Sequence, residues 1–318
     1  MTTGSATAPQ PVSFSTTGLP EAQRIALWEH HNACALIGLR CHTLGEAPFD
    51  GAELNLQLDQ MHLARVRGNA HVVERPAEVI RKHPADAVAV YLTLVGEAFF
   101  YHDDGVLTLR PGQVLICDAD RPFMRGFSRG LEELAIKVPR PIFRELTGLA
   151  SLSSPLVRDF NGGDVPARTF ARLVDRALRP GGGEPLDERI ALDLLASMAG
   201  SRRVDLGTVH LANARAFIED HLTDSGLTAA RVAAGVGISE RHLSRAFAAS
   251  GTTLPQFVLA RRLDRARALL ASSPQLPVGE VAARCGFGSA THFSQAFRAR
   301  FGLRATDLRR QARAGRLN

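Results

Sequence analysis

A block of residues occurs twice near the C-terminus, and the second copy is one residue longer than the first. The copies are VAAGVGISERHLSRAF at residues 232–247 and VAARCGFGSATHFSQAF at residues 281–297. In each copy apolar residues recur at helical spacing, and a glycine, Gly237 or Gly286, marks a sharp turn before a serine that can cap a second helix. Each copy therefore predicts a helix-turn-helix unit, and such a repeat is hard to produce by accident.

The positive charge of the chain is concentrated where this repeat lies. Residues 201–318 hold 18 arginines, no lysine and 8 acidic residues, a net charge of +10. Residues 1–200 hold 20 basic and 24 acidic residues, a net charge of −4. A basic segment that also carries two helix-turn-helix units indicates binding to duplex DNA. A charged helical surface that only contacts water is the alternative, and the coincidence of charge and motif argues against it.

The C-terminal third resembles the AraC/XylS family of transcription regulators over about residues 208–310. The segments that carry the resemblance are RHLSRAF at 241–247, RLDRARALL at 262–270, GF at 286–287 and FSQAFRARFG at 293–302. The resemblance implies two helix-turn-helix units joined by one long helix, each with its second helix in the major groove. Residues 255–271 fit that helix, with a proline in the first turn and Phe257, Leu259, Leu263, Ala266 and Leu270 as its buried stripe. Its length of about 25 Å would place the two helices near one DNA turn apart.

The resemblance also assigns DNA contact to the early exposed positions of the two second helices. These positions are Glu240, Arg241, Ser244 and Arg245 in the first unit and Ala290, Thr291, His292, Ser294 and Gln295 in the second. Arg241 and Arg245 share one helix face, and arginine pairs with guanine through two hydrogen bonds, so these two are the leading base readers. A phosphate contact, or an ion pair with Glu240, is the alternative for each. Relatives often have a basic residue in place of Gln295, so we expect the second unit to contribute less.

The first two hundred residues have β character, with short apolar segments between turns such as DDG at 103–105 and RPG at 110–112. The predicted strands are 54–58, 61–67, 71–75, 87–100, 106–109, 114–118, 122–126 and 131–138, after a short helix at 21–31. Residues 94–116 and 118–123 resemble the cupin-like sensor of the same family. The expected fold class is therefore α+β: an N-terminal cupin-like antiparallel β-barrel with flanking helices, and a C-terminal all-α domain of two helix-turn-helix units joined by a long helix.

The resemblance implies that the barrel binds a small-molecule effector, such as an aromatic or another catabolic compound. The candidate ligand residues are His62, Arg65, Arg75, Tyr91 and Phe100. Alternation along residues 87–95 separates Val88 and Val90 from Tyr91, and which face lines the cavity stays open. Metal-dependent cupins hold their ion with a His-x-His pair, a Glu and a further His, and the segment 95–127 lacks this set. We therefore predict no metal, no cofactor and no catalytic residue.

Two helical segments, 166–178 and 185–198, are predicted between the barrel and the DNA-binding domain, separated by PGGG at 180–183. In the family such helices form the dimer contact, which implies a homodimer held by Ile190, Leu194 and Leu195. Packing of both helices within one chain is the alternative. The expected division of the chain is a disordered N-terminus at 1–20, the sensor at 21–150, the helical dimerisation segment at 151–199, a linker at 200–208 and the DNA-binding domain at 209–318.

The remaining features set the cellular context. Cys34, Cys41, Cys117 and Cys285 show no disulfide spacing, and no run approaches the ~20 apolar residues that cross a bilayer, so we expect a cytoplasmic protein without a membrane partner. The sequence predicts a regulator, not an enzyme, that acts as an activator on promoter DNA and contacts RNA polymerase. A constitutive DNA binder whose barrel serves only dimerisation, and a cupin enzyme, are the alternatives.

Overall fold

The chain divides into two compact units. The computed structural model describes residues 10–179, 186–200 and 206–314, and the units are Met1–Asp205 and Leu206–Asn318. The boundary falls inside the predicted linker at 200–208. Residues 201–205 of that linker lie outside the described residues, and a helix begins at Leu206, sooner than the sequence suggested.

Unit 1 contains two antiparallel sheets. The strands are β1 Val12–Ser15, β2 Arg40–Thr43, β3 Gly51–Gln57, β4 His62–Gly68, β5 His71–Arg75, β6 Ala87–Val95, β7 Ala98–His102, β8 Gly105–Leu109, β9 Gln113–Asp118, β10 Phe123–Phe127, β11 Leu131–Pro139 and β12 Leu156–Asp159. One sheet has the order β1-β3-β4-β11-β6-β9-β12, and the other has the order β2-β5-β10-β7-β8. The predicted cupin-like antiparallel architecture is confirmed, as two facing sheets rather than a closed barrel.

Three predictions of secondary structure in unit 1 need correction. The single strand predicted at 87–100 is two strands, because Gly96 has φ +84° and turns the chain; a Cβ there would lie 2.3 Å from the Gly130 carbonyl oxygen. Residues 12–15, predicted to be disordered within 1–20, form β1 and pair with β3, whereas residues 1–9 lie outside the described part. The segment 151–199 is not purely helical, since β12 pairs with β9.

Five helices are described in unit 1. They are α1 Glu21–Ala35, α2 Ala77–Lys82, α3 Arg140–Thr147, α4 Val165–Ala177 and α5 Glu188–Met198. The predicted pair 166–178 and 185–198 corresponds to α4 and α5, which pack against each other. Asp164 and Asp187 cap them by accepting hydrogen bonds from the third backbone N–H beyond each cap. The glycine-rich stretch predicted as their turn lies among residues that are not described.

The predicted dimer residues do not form an exposed surface. Leu194 and Leu195 are 0% and 1% exposed within the protomer, and Ile190 is half-buried. The Glu188 carboxylate at the start of α5 accepts hydrogen bonds from the backbone N–H groups of Asp59 and Gln60, at 3.1 and 2.6 Å. These contacts hold α5 within unit 1, which favours the alternative of packing within one chain; dimerisation itself stays a prediction.

The faces of β6 answer the question that alternation left open. Ala89 and Tyr91 lie in a core formed by side chains of both sheets together with Trp28 of α1. Val88 and Val90 point to the opposite face and are also fully buried. The Tyr91 face of the larger sheet is therefore the inner one, which explains why β6 is apolar on both sides.

Unit 2 is helical and has two separate cores. Its helices are α6 Leu206–Asp220, α7 Ala229–Val236, α8 Glu240–Ala249, α9 Leu254–Ser272, α10 Val278–Arg284, α11 Ala290–Phe301 and α12 Ala305–Ala314. The long helix α9 joins them: Val258 packs into the first core, and Leu263 and Leu270 pack into the second. The connecting helix predicted at 255–271 is confirmed, although Phe257 and Leu259 of its predicted stripe are only partly buried.

Candidate DNA interface and effector cavity

The two helix-turn-helix units close their turns in the same way. Gly237 and Gly286 have φ values of +72° and +80°, a region that glycine enters without penalty. The next backbone N–H then donates to a carbonyl of the preceding helix: Ile238 to Ala233 and Phe287 to Ala282, both at 3.0 Å. The duplicated sequence therefore produces a duplicated turn.

Serine caps start the second helix of each unit. Ser239 Oγ accepts a hydrogen bond from the His242 N–H at 3.2 Å, and Ser289 Oγ accepts one from the His292 N–H at 3.3 Å. Phe247 and Phe293 anchor α8 and α11 in their cores at 0% exposure. Phe247 and Phe293 are thus structural, and the opposite face of each helix is left for contact.

The first of these helices, α8, presents the predicted DNA-contacting residues to solvent. Glu240, Arg241, Ser244 and Arg245 are all exposed. Within the described ranges, Arg241 has no hydrogen-bond or ion-pair partner, and Arg245 contacts only His242 Nδ1, at 3.5 Å. The ion pair with Glu240 that was an alternative for both arginines is not present. Both guanidinium groups are therefore available to an external acceptor.

The histidine between these arginines links α8 to α6. His242 Nε2 lies 3.1 Å from His210 Nδ1, and the two rings meet edge to face with centroids 4.7 Å apart. One of the two imidazoles must donate and the other accept, so at least one is neutral in this arrangement. The contact fixes the side chain between Arg241 and Arg245.

The second of these helices, α11, is also exposed but carries less charge. Ala290, Thr291, His292, Ser294 and Gln295 are all exposed. Ser294 Oγ already donates to the Ala290 carbonyl at 2.9 Å. Farther along, Arg300 is engaged by both carboxylate oxygens of Asp264, each at 2.9 Å. The early part of α11 therefore offers no arginine, lysine or carboxylate.

Unit 1 contains a small cavity between its sheets and α1. Its volume is about 40 Å³, and its apolar walls include Trp28, Leu36, Ile37, Val73, Ala89 and Phe127. Its polar lining consists of Asn32, His71, Tyr91, Arg125, Glu133 and Lys137. Volume measured in this way must reach about 10–15 Å³ to hold one water molecule, so in this form the cavity holds roughly three. A larger occupant requires one of the walls to move.

A buried ion pair forms one end of the cavity. The Arg125 guanidinium donates to both carboxylate oxygens of Glu133, at 2.9 and 2.6 Å, and both side chains are almost fully buried. The guanidinium also lies 3.8 Å from the centre of the Tyr91 ring. Burial alone would lower the pKa of Arg125, but the adjacent Glu133 carboxylate raises it, so this arginine stays charged.

The opposite end of the cavity carries a lysine. Lys137 Nζ donates to the Leu36 carbonyl at 2.8 Å, just beyond the end of α1. Within the described residues no carboxylate lies at ion-pair distance from it. Burial lowers the pKa of Lys137, and the positive charge of Arg75 lowers it further. The cavity therefore contains one cation without a counter-charge.

Of the five predicted ligand residues, only Tyr91 lines this cavity. His62 is held by Asn55 and Gln57 at 2.7 and 2.8 Å, and burial lowers its pKa to about 4. Phe100 is a core residue and borders a separate, smaller hollow. The hydroxyl of Tyr91 has no hydrogen-bond partner among the described residues.

The two predicted ligand arginines have structural partners instead. Arg65 projects from the opposite face of its sheet and pairs with Glu132 and with Asp175 of α4. Arg75 is fully buried, and it donates to three carbonyl oxygens and to Asp120. Neither guanidinium is free for a ligand.

The cavity residues that the sequence did not indicate come mainly from β11. Glu133, Ala135 and Lys137 are alternate residues of this strand and face the cavity, where they meet Arg125 from the other sheet. A strand that places charges at inward positions is unusual, and that pattern was the available signal. No group of three or more His, Cys, Asp or Glu side chains with a metal-binding arrangement occurs in the described ranges.

Comparison with known proteins places both units. A model of the AraC-binding-like domain matches residues 28–224, well over half of the chain, and a model of a helix-turn-helix domain matches residues 232–311. The chain belongs to the AraC/XylS family of transcription regulators. It is accordingly a DNA-binding regulator with an N-terminal AraC-binding domain.

Individual members of the family match to different extents. Transcriptional activator NphR of a Rhodococcus species is 25% identical over 310 residues, which is 92% of this chain and 91% of NphR. Transcriptional activator RhrA of Rhizobium meliloti is 33% identical over 105 residues, 33% of each chain. The crystal structure of the AraC-like transcriptional activator CuxR covers 86% of this chain and 100% of its own, with a TM-score of 0.51 and 18% identity, a likeness of fold. No described helix is long and apolar enough to span a bilayer.

Proposed function

We propose that the protein is an effector-controlled transcription activator in which a small molecule bound between the sheets of unit 1 changes the action of unit 2 on promoter DNA. The observation that carries the proposal is a cavity in the first unit whose polar groups are not all paired, in a chain whose second unit presents exposed arginines without a carboxylate partner on α8. The match to NphR supports it, because that activator aligns with this chain across both units.

Sequence recognition rests mainly on Arg241 and Arg245. Both are exposed, lie one helical turn apart, and have no carboxylate partner in the described part of the chain. Arginine bound to guanine through two hydrogen bonds contributes about 1–3 kcal/mol of discrimination against a wrong base. The second unit offers Thr291, His292 and Gln295, so its half-site contributes less and depends more on DNA shape and bridging water.

Three further parts of the proposal concern RNA polymerase, the cellular location and the oligomeric state. As an activator the protein contacts RNA polymerase, and as a reader of genomic DNA it acts in the cytoplasm. We also propose a homodimer, whose contact surface lies outside the buried side chains of Leu194 and Leu195.

DNA selection followed by affinity measurement tests the base readers. A duplex library is selected on the full-length protein, and the affinity of Arg241→Ala and Arg245→Ala is measured on the selected duplex and on a scrambled one. Each substitution should cost about 1–3 kcal/mol on the selected duplex and much less on the scrambled one. Equal losses on both would mean phosphate contacts.

A matched control separates these losses from a general loss of charge. Arg231 is exposed on α7 but is already paired with Asp224, so Arg231→Ala removes the same charge without removing a free guanidinium. It should weaken both duplexes slightly and equally. If no compound that stabilises unit 1 alters DNA affinity or transcription, effector control is wrong and a constitutive regulator remains.

A further inference from the structure

Three side chains of the cavity in unit 1 carry hydrogen-bond donors that are unused. The Arg125 Nε–H is buried without a partner, and the Tyr91 hydroxyl has none among the described residues. The Lys137 ammonium has three N–H groups and uses one of them, on the Leu36 carbonyl. A ligand that supplies acceptor atoms would satisfy these donors.

The charges of the cavity also favour a ligand with acceptor atoms. Arg125 and Glu133 neutralise each other through two hydrogen bonds. His71 donates from Nδ1 to the Asn69 carbonyl at 2.7 Å, and burial lowers its pKa, so it is neutral. The ammonium of Lys137 is then the one net charge of the lining, with no carboxylate beside it in the described ranges.

The wall next to this lysine is apolar and made of small side chains. Ala135 is two residues before Lys137 on β11. Ala89 of β6 pairs directly with Lys137. Trp28 and Leu36 close the cavity from the side of α1. A flat or short apolar body can lie on the two alanines while an acidic group reaches the ammonium.

From these observations we propose that the effector is a small monocarboxylate with an apolar body, whose carboxylate binds Lys137. This inference rests on the proposed function and specifies the chemistry of its ligand. The body occupies the space over Ala135 and Ala89, toward the Tyr91 hydroxyl. Glu133, four residues or about 13 Å away along the strand, stays paired with Arg125 and does not repel the ligand.

The same contact explains how a ligand enters so small a cavity. The Leu36 carbonyl is the present acceptor for Lys137, and Leu36 is the residue at which α1 ends. A carboxylate adds the attraction of opposite charges to the hydrogen bond from the ammonium, which a neutral carbonyl does not supply. The ligand therefore replaces Leu36 as the acceptor, and the end of α1 moves away to make room.

Ligand titration followed by tryptophan fluorescence tests the assignment, because Trp28 is the only tryptophan of the chain and lines the cavity. Butyrate, benzoate and phenylacetate are compared with butyramide, benzamide and phenylacetamide, which have nearly the same shape and no charge. At least one acid should bind the full-length protein at least about tenfold more tightly than its amide, which corresponds to 1.4 kcal/mol. Equal binding of acid and amide, or no response to any of the acids at millimolar concentration, would overturn the proposal.

Variants at the lysine provide the control. Lys137→Met should remove the preference for the acid, and Lys137→Arg should restore it within a few-fold, which a purely structural role of the lysine would not predict. Lys82→Met removes an exposed lysine that pairs with Glu78 and should leave binding unchanged. Urea unfolding of each variant shows that the fold is intact. An unchanged acid preference in Lys137→Met refutes the assignment.

DNA binding separates this proposal from the broader one. If an acid binds through Lys137 but DNA affinity and transcription do not change, effector control fails and the anion site stands. If an amide binds as tightly as its acid and changes DNA affinity, effector control stands and the anion assignment fails.

Discussion

Removing the charge of Glu133 should destabilise unit 1 far more than removing that of an exposed acid. The Glu133 side chain is 6% exposed and that of Arg125 is 2% exposed, so Glu133→Gln leaves a guanidinium in the core without a counter-charge. Breaking one side of a buried ion pair costs about 3–5 kcal/mol. That is a large part of the 5–15 kcal/mol that stabilises a typical domain.

Urea unfolding monitored by Trp28 fluorescence measures this loss of stability in unit 1 itself. The chain has a single tryptophan, and Trp28 packs against Phe49 in the core of unit 1 with ring centroids 5.3 Å apart. The urea concentration at the midpoint of unfolding should fall. The slope of the unfolding free energy against urea concentration should stay the same, because the substitution changes stability and not the surface exposed on unfolding.

Two comparisons determine whether burial is the cause. The pair of Arg40 and Glu78 has a similar distance, 2.7 Å, but its side chains are 44% and 47% exposed, so Glu78→Gln should cost little. Replacing both buried partners, Arg125→Met with Glu133→Leu, should recover most of the loss, because no charge is left unpaired. A loss for Glu133→Gln no larger than that for Glu78→Gln would refute the reasoning.

Three other substitutions have definite expected results. Gly286→Ala should destabilise unit 2 more than Gly237→Ala does, as measured by unfolding in far-UV circular dichroism. Both substitutions carry the positive-φ penalty of about 1–2 kcal/mol, but only the Cβ at Gly286 would lie 2.8 Å from a backbone oxygen. Equal losses would contradict this. Leu194→Ala should lower the free energy of unfolding of unit 1 by about 2–5 kcal/mol without changing the sedimentation coefficient. A variant of normal stability that no longer dimerises would instead place this residue in the dimer interface. The pKa of His62 is lowered from 6.5 to about 4 in the folded chain, so the unfolded state binds more protons between these values, and stability should fall by up to about 3 kcal/mol as pH drops through that range; His62→Gln should flatten this slope, and an unchanged slope would argue against it.

The DNA-binding half was predictable because its signals are local. The turn at Gly237, the cap at Ser239 and the buried Phe247 lie within a few residues of one another, and each has one favoured conformation. The duplication then supplied an independent second instance. Helix boundaries followed within a residue or two for the connecting helix, observed at Leu254–Ser272.

Unit 1 was predictable as a fold, but its cavity residues were not. Strand alternation identifies faces without saying which face is inside, and β6 is buried on both. Arg125 and Glu133 meet only because β10 and β11 belong to different sheets that face each other, a relation between sheets that no local pattern encodes. Arg75 was among the candidate ligand residues, but its guanidinium donates to carbonyls that approach from distant loops.

Unpaired polar groups have different consequences in the two units. On α8, Arg241 without a partner is solvated by water, so keeping it unpaired costs little and leaves it free for DNA. In the cavity, the Arg125 Nε–H has lost water without gaining a partner, which costs stability until a ligand supplies an acceptor. A ligand that binds there stabilises unit 1 by about 2.7 kcal/mol when its concentration is a hundred times its Kd. Under the proposed effector control, the polar groups that weaken the unliganded fold are therefore the source of the free energy that ligand binding supplies.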